Sequence, residues 1–364
     1  MTGTQRIKKW IGLLAVLLGI SGSLPVWAGE MTVHFLDVGQ GLSVLVQSEG
    51  KTLLYDGGDT DTADEVVSYL QGQGVETIDY MVASHYDSDH LGGLLGALQS
   101  FSVEAILGPD YEKDSDLYRN FTGVAQNQGL SVTHPSVGSS YALGDASFEV
   151  MAPSKADAGD SNDCSVVLKV ANGADSFLLT GDAGHTSEEE MVAAGLDLSC
   201  DVLQVGHHGS AGSTSWDLLQ AAVPEYAVIS CGTGNSYGHP DADTMEKLES
   251  MDIQVLRTDK QGTVTATSTG NGITWDVQPC NDYSSGDASD MGTLSGSEAA
   301  AASTEDTFED GSGGAAETSV WVSATGSKYH CIPDCGSMDA SRAKELTQEE
   351  AEALGYEPCK KCFG

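Results

Sequence analysis

Ser84-His85-Tyr86-Asp87-Ser88-Asp89-His90 puts four side chains able to hold a metal within six positions. Crowding imidazoles and carboxylates this closely is costly in like-charge repulsion unless cations lie between them, so the run predicts metal binding. A solvated loop that caps a helix is the alternative, since Ser88 and Asp89 are both N-cap residue types. The stretch 78–83 before the cluster reads as a buried strand, and 91–98 after it has helical spacing, which puts the cluster on a strand-to-helix loop. Such a loop can aim His85 and Asp87 to one side and Asp89 and His90 to another, an arrangement suited to two adjacent metals. Two later strands end in the same residue types: 176–180 runs into Gly181-Asp182, and 202–205 into Gly206-His207-His208-Gly209-Ser210. Three strands that deliver ligand-type residues at their C-terminal ends describe one shared site.

Further strands are expected at 32–36, 42–47, 52–55, 103–107, 147–151, 166–170, 226–230 and 253–257, and helices at 63–71 and 241–250. Short strands mixed with helices, with chemistry at the strand ends, fit an α/β (α+β) fold of two sheets covered by helices on their outer faces.

The order Asp56, His85-x-Asp87-x-Asp89-His90, Gly181-Asp182, Gly206-His207-His208-Gly209-Ser210 resembles the metallo-β-lactamase superfamily. Within it, the likeness is to the C-terminal hydrolase domain of competence DNA-uptake channel proteins (ComEC/Rec2-like). Phe35-Leu36-Asp37-Val38-Gly39-Gln40-Gly41, Leu91-Gly92-Gly93 and Gly234-Asn235-Ser236-Tyr237-Gly238-His239-Pro240 support it. The likeness spans an expected domain at 31–280 and does not extend to the membrane channel. It implies the four-layer αββα fold and two divalent ions, zinc or manganese. One ion would take His85 and Asp87 and the other Asp89 and His90, with Asp182 bridging. His207 would complete the second, with His208 as the substitute, and Asp56 would hold the loop from beneath through hydrogen bonds.

Two departures from the wider superfamily matter. Asp87 stands where a histidine is usual, and the histidine expected ahead of Gly181-Asp182 is missing from Ser161-Asn162-Asp163-Cys164-Ser165, which leaves Asn162 or Asp163 to offer an oxygen. So oxygen-rich a ligand set keeps manganese beside zinc. The implied reaction is phosphodiester hydrolysis by metal-activated water, with DNA as the expected substrate. Asp89 or Asp182 would orient the water, Ser210, Asn235, Tyr237 and His239 would contact substrate, and His239 would donate a proton to the leaving group. The stretch 235–240 also reads as a plain turn. A same-fold hydrolase of another ester or lactam bond, and a non-catalytic extracellular binding protein with a degenerate metal site, are the rival functions. The sequence names no protein partner.

Arg6, Lys8 and Lys9, the apolar run 10–20 and Val26-Trp27-Ala28 form an export-signal pattern, expected to be cut after Ala28 (residues 1–28). That run is short of the roughly 20 residues needed to cross a bilayer, so a secreted or extracytoplasmic protein is expected. The 54 acidic residues against 16 basic ones give a net charge of −38, which repels polyanions and leaves no basic patch for non-specific nucleic-acid binding. Solubility explains the same acidity. Residues 281–319 carry nine Asp/Glu and no Lys or Arg, too little apolar surface to fold, and read as a disordered acidic linker. At 320–364, His330, Cys335, Cys359 and Cys362 fit a tetrahedral zinc site in a small module, and the cysteines of an exported chain can instead form disulfides.

Overall fold

The computed structural model describes residues 28–153 and 160–286 and, towards the C-terminus, 319–322, 328–330, 344–347, 351 and 357–358. Residues 1–27 of the expected export signal, residues 287–318 of the expected linker, and Cys335, Cys359 and Cys362 lie outside the described residues.

Six strands come first: β1 (Met31–Phe35), β2 (Val44–Ser48), β3 (Lys51–Tyr55), β4 (Thr77–Val82), β5 (Ser102–Leu107) and β6 (Val132–Thr133). The next seven are β7 (Ser140–Leu143), β8 (Ala146–Ala152), β9 (Val167–Asn172), β10 (Asp175–Leu179), β11 (Val202–Gln204), β12 (Tyr226–Ile229) and β13 (Gln254–Arg257). They make a second sheet in the order β13-β12-β11-β10-β9-β8-β7. Then β14 (Val264–Ser268) and β15 (Ile273–Trp275) return to the first sheet, which runs β15-β14-β1-β2-β3-β4-β5-β6.

Strand alternation sorts the apolar side chains into three cores. Val33, Phe35, Leu53 and Tyr55 of the first sheet meet Phe148, Leu168, Phe177 and Leu179 of the second in a core between the sheets. The intervening residues Leu45, Leu54 and Met81 point outward, against Val66 and Leu70 of α1 (Ala63–Gly72), Leu91, Leu94 and Leu98 of α2 (Ser88–Ser100) and Phe121 of α3 (Asp116–Asn127). On the far side Leu178, Leu203 and Ile229 pack against Met191 of α4 (His185–Ala193), Leu218 and Leu219 of α5 (Trp216–Ala222) and Leu248 of α6 (Ala242–Ser250). Strands buried on both faces require near-continuous apolar runs, and each leucine so buried contributes about 1.5–3 kcal/mol. The layers are therefore helix, sheet, sheet, helix.

Topology places the chemistry. β3 to β6 run parallel, as do β10 to β13. Open sheets of this kind bind ligands beyond the C-terminal ends of parallel strands. Those ends lead into Asp56 after β3, Ser84-His85 after β4, Gly181-Asp182 after β10 and Gly206-His207-His208 after β11.

α2 begins at Ser88, ahead of the helical spacing expected from 91, so Asp89 and His90 occupy its first turn. Asp87 stands at its N-cap position without a side-chain cap bond. Past Cys280 the large unit continues to make ordered contacts: Asn281 N donates to Val255 O at 3.1 Å and Gly286 N to Pro240 O at 2.8 Å. Among the described residues no helix is long and apolar enough to cross a membrane. Gly296–Gly364 form a separate unit, with a small sheet of β16 (Ser319–Val322), β17 (Lys328–His330), β18 (Lys344–Thr347) and β19 (Glu357–Pro358) in the order β18-β16-β17-β19.

Candidate metal centre

Asp56 sits fully buried at the end of β3, in the left-handed region at φ 57°. Its Oδ1 accepts from Ser84 N at 2.7 Å and its Oδ2 accepts the Ser84 hydroxyl at 2.6 Å and lies 2.8 Å from His90 Nδ1. A serine hydroxyl has one proton to give, and here it goes to Asp56. The His85 Nδ1 found 3.0 Å from the same hydroxyl must then be the donor. His208 Nδ1 meets the Ser230 carbonyl at 2.9 Å and can only donate to it. Three imidazoles thus have Nδ1–H committed to a fixed acceptor, and Nε2 is the nitrogen each turns to the centre.

Those three Nε2 atoms are buried and have no hydrogen-bond partner, as does Asp182 Oδ1. Orphaned polar atoms are rare in folded proteins because each costs the desolvation of the group. They converge: His90 Nε2 lies 3.3 Å from Asp182 Oδ1, and His208 Nε2 is 3.2 Å from Asp89 Oδ2 and 3.6 Å from Asp182 Oδ2. Two groups have all their ligand atoms within 4.8 Å of one another: His85, His90 and Asp182, and Asp89, His90 and His208. A mixed imidazole and carboxylate set of unsatisfied atoms is able to hold metal ions.

Electrostatics point the same way. Burial alone opposes charge on Asp182, yet the facing His90 and His208 outweigh it and hold the carboxyl well below the usual range. Burial likewise works against charge on Asp89, but His208, 3.2 Å away, and the neighbouring His90 hold it low. Burial depresses His90, and Asp182 and Asp56 more than reverse that, so it is raised well above its ordinary value; His208 is raised in the same way by Asp182 and Asp89. His85 differs, pushed down to about 4 by burial and by the neighbouring His90.

The supporting backbone is unusual. His207 and His208 both adopt left-handed conformations, φ 50° and 57°, which non-glycine residues rarely do and which turn His208 inward. Gly181 is required: a Cβ there would lie 2.6 Å from Ser84 Cβ, where the two sheets' strand ends touch. Gln204, a buried amide at the end of β11, accepts from Thr180 N and Gly181 N at 2.7 and 2.8 Å and so shapes the turn that presents Asp182. Buried Glu188 accepts from Thr214 N and Ser215 N and ties α4 to the segment after His208.

The centre opens into a cleft of about 120 Å³ lined by Gln40, His85, Asp87, Asp89, Asn162, Asp182, His207, His208, Tyr237 and His239. His208 enters the tight carboxylate cluster, whereas His207 is partly exposed, 3.7 Å from Asp182 Oδ2, near the Asn162 amide at 3.5 Å. Asp87 Oδ1 is 3.6 Å from His85 Nε2 but pairs with Lys113. Asp163 turns away to accept from Ser187 N. Ser210 and Asn235 do not line the cleft: Ser210 Oγ accepts from Gly212 N, and the Asn235 side chain braces its own loop through Gly232, Tyr237 and His239. His330 ends β17. Sequence reading missed Gln40, Lys113, Gln204 and Glu188. Gln204 alone carried a local signal, a polar residue inside Val202-Leu203-Gln204-Val205.

A four-layer sandwich whose parallel strand ends bring bare imidazole nitrogens and carboxylates together in a cleft defines a metal-dependent hydrolase. The chain belongs to the metallo-β-lactamase superfamily, whose profile matches residues 36–233. It is similar to ComE operon protein 3 of Bacillus subtilis (28% identity, 70% of this chain and 35% of that protein). It is also similar to Competence protein ComA of Neisseria gonorrhoeae (34%, 70% and 35%) and to Recombination protein 2 of Haemophilus influenzae (34%, 68% and 30%). The chain spans about a third of the length of these relatives.

Proposed function

We propose that this hydrolase cleaves phosphodiester bonds, as an exported nuclease or phosphodiesterase acting on DNA or shorter nucleic acid. The observation that carries the reading is the convergence of the unpartnered Nε2 atoms of His85, His90 and His208 on Asp89 and Asp182. The phosphodiester is favoured because the relatives bear competence and recombination names.

Zinc or manganese ions at this centre would be held by His85, Asp89, His90, Asp182 and His208, with Asp87, Asn162 and His207 at the margin. Bound there they would supply a Lewis acid for the phosphoryl group and acidify water. Asp89 and Asp182, held ionised, orient the attacking water. Burial and the nearby His207 push His239 down to about 4, so it is neutral at physiological pH and donates a hydrogen bond. A phosphoryl oxygen beside it favours its protonated form, the form that delivers a proton to the leaving group. Tyr237, 70% exposed, stacks on His239 at 5.5 Å and 22° and offers its other face to a base. With a net charge of −38 the surface repels long duplexes, which favours short or single-stranded substrates screened by divalent ions.

Export is supported by the cationic and apolar pattern ahead of Ala28, and a zinc site in the C-terminal unit by the spacing of His330, Cys335, Cys359 and Cys362. Protein lacking residues 1–28 should hydrolyse bis(p-nitrophenyl) phosphate with manganese or zinc, and Asp182→Ala should abolish turnover. Equal turnover by that variant refutes the assignment.

A further inference from the structure

His90 has only Nε2 to offer a metal, because Nδ1 is bound to Asp56. It can therefore serve only one of the two groups in which it takes part. With His90 joined to Asp89 and His208, the other position keeps His85 and the shared Asp182, and the nearest further carboxylate is Asp87, whose Oδ1 lies 3.6 Å from His85 Nε2. That same oxygen receives the Lys113 ammonium. Asp163 is not among the residues that line the cleft, and its Oδ1 accepts from Ser187 N.

Lys113 is delivered there by the fold. The intervening Tyr86 clamps the loop that carries it: Tyr86 N donates to Tyr111 Oη at 3.1 Å, the Tyr86 hydroxyl donates to Pro109 O at 2.7 Å, and the Tyr86 and Tyr111 rings lie 4.9 Å apart. Lys51, Arg119, Lys169, Lys247, Arg257 and Lys260 all face carboxylates outside the motif. An ammonium and a divalent ion repel strongly across one shared carboxylate oxygen.

We propose that Lys113 competes with a metal ion for Asp87 and makes the two metal positions unequal. The Asp89–His90–His208 position fills first, and the His85 position fills as Lys113 withdraws from Asp87. This rests on the metal-binding part of the function proposed above and is independent of the substrate.

Calorimetric titration of the metal-free full chain with Mn²⁺ tests it. The parent should show a tighter and a weaker event. Lys113→Met should tighten the weaker event about fivefold, the worth of a partly exposed ion pair, and leave the tighter one unchanged. Lys113→Arg should match the parent, and Lys51→Met, which removes the same charge elsewhere, should move neither event. A parent that binds no manganese refutes the metal centre itself. Two parental events that Lys113→Met leaves unaltered, or shifts together as Lys51→Met does, refute the role of the lysine alone.

Discussion

Gly93 lies on the buried side of α2, one turn after Asp89 and His90, and the structure makes replacing it costly. Alanine in a helix interior is ordinarily favoured over glycine by about 0.8–1 kcal/mol. Here a Cβ would stand 1.9 Å from Gly57 O and 2.8 Å from Gly57 C, backbone atoms that no rotamer change can move. Reaching ordinary contact requires α2 and the 56–58 loop to part by about 1.5 Å. Overpacking of this kind costs about 1–3 kcal/mol or more, which outweighs the propensity gain. The same loop holds α2 through Gly57 N to His90 O at 2.8 Å and Gly93 N to Gly58 O at 3.2 Å, so the displacement is passed to His90 and to its bond with Asp56. Metal ligands tolerate only tenths of an ångström. Gly93→Ala should lower stability by about 2 kcal/mol, a fall of roughly 4–8 °C in Tm, and weaken manganese or zinc affinity about 10–100-fold. Gly123→Ala in α3, where a Cβ meets nothing within 4 Å, is the control and should raise Tm slightly at unchanged affinity. Thermal melts and metal titrations of the two variants decide it. A Gly93→Ala protein as stable and as metal-avid as its parent refutes the reasoning.

Three other predictions concern regions away from this contact. Burial, which outweighs the pull of Asp276, lowers His34 to about 4, beneath α1 and next to the Tyr69 hydroxyl. Between pH 6.5 and 4 the unfolded chain binds the proton more readily, so stability is full above 6.5 and is lost as pH falls towards 4, by at most about 3 kcal/mol. Denaturant melts across this range should show the loss in the parent and a shallower one in His34→Gln; identical slopes refute it. Native mass spectrometry of the protein recovered from its host should show a chain without residues 1–28. After the large unit is stripped by mild chelation, one zinc should remain that Cys359→Ser releases. An uncut chain refutes export, and equal metal content in the variant refutes the C-terminal zinc site.

Much of the fold was legible because buried strands on two packed sheets must be apolar on both faces, and β10 reads that way directly in Phe177–Leu179. β14 was missed although Val264 and Ala266 alternate with threonines, since its partner β1 lies more than two hundred residues earlier. The ligand-type residues announced themselves through crowding: His85 to His90 cannot share six positions without a cation or a solvated loop. Asn235 looked like a substrate contact by type, yet its side-chain amide is engaged by its own turn, a matter of local geometry that residue identity does not reveal.

The sequence by itself determined the layered class, the strand ends that carry chemistry, and the histidines and carboxylates that meet there, because periodicity and side-chain type are local properties. Tertiary structure alone decided that His208 rather than His207 enters the tight cluster, through two successive left-handed residues that spacing does not encode. It alone decided that Asp87 faces Lys113, and that Gln204 and Glu188 hold the turns around Asp182 and His208. These pairings join residues 23 to 26 positions apart, and only the way the strands are laid side by side brings them within reach.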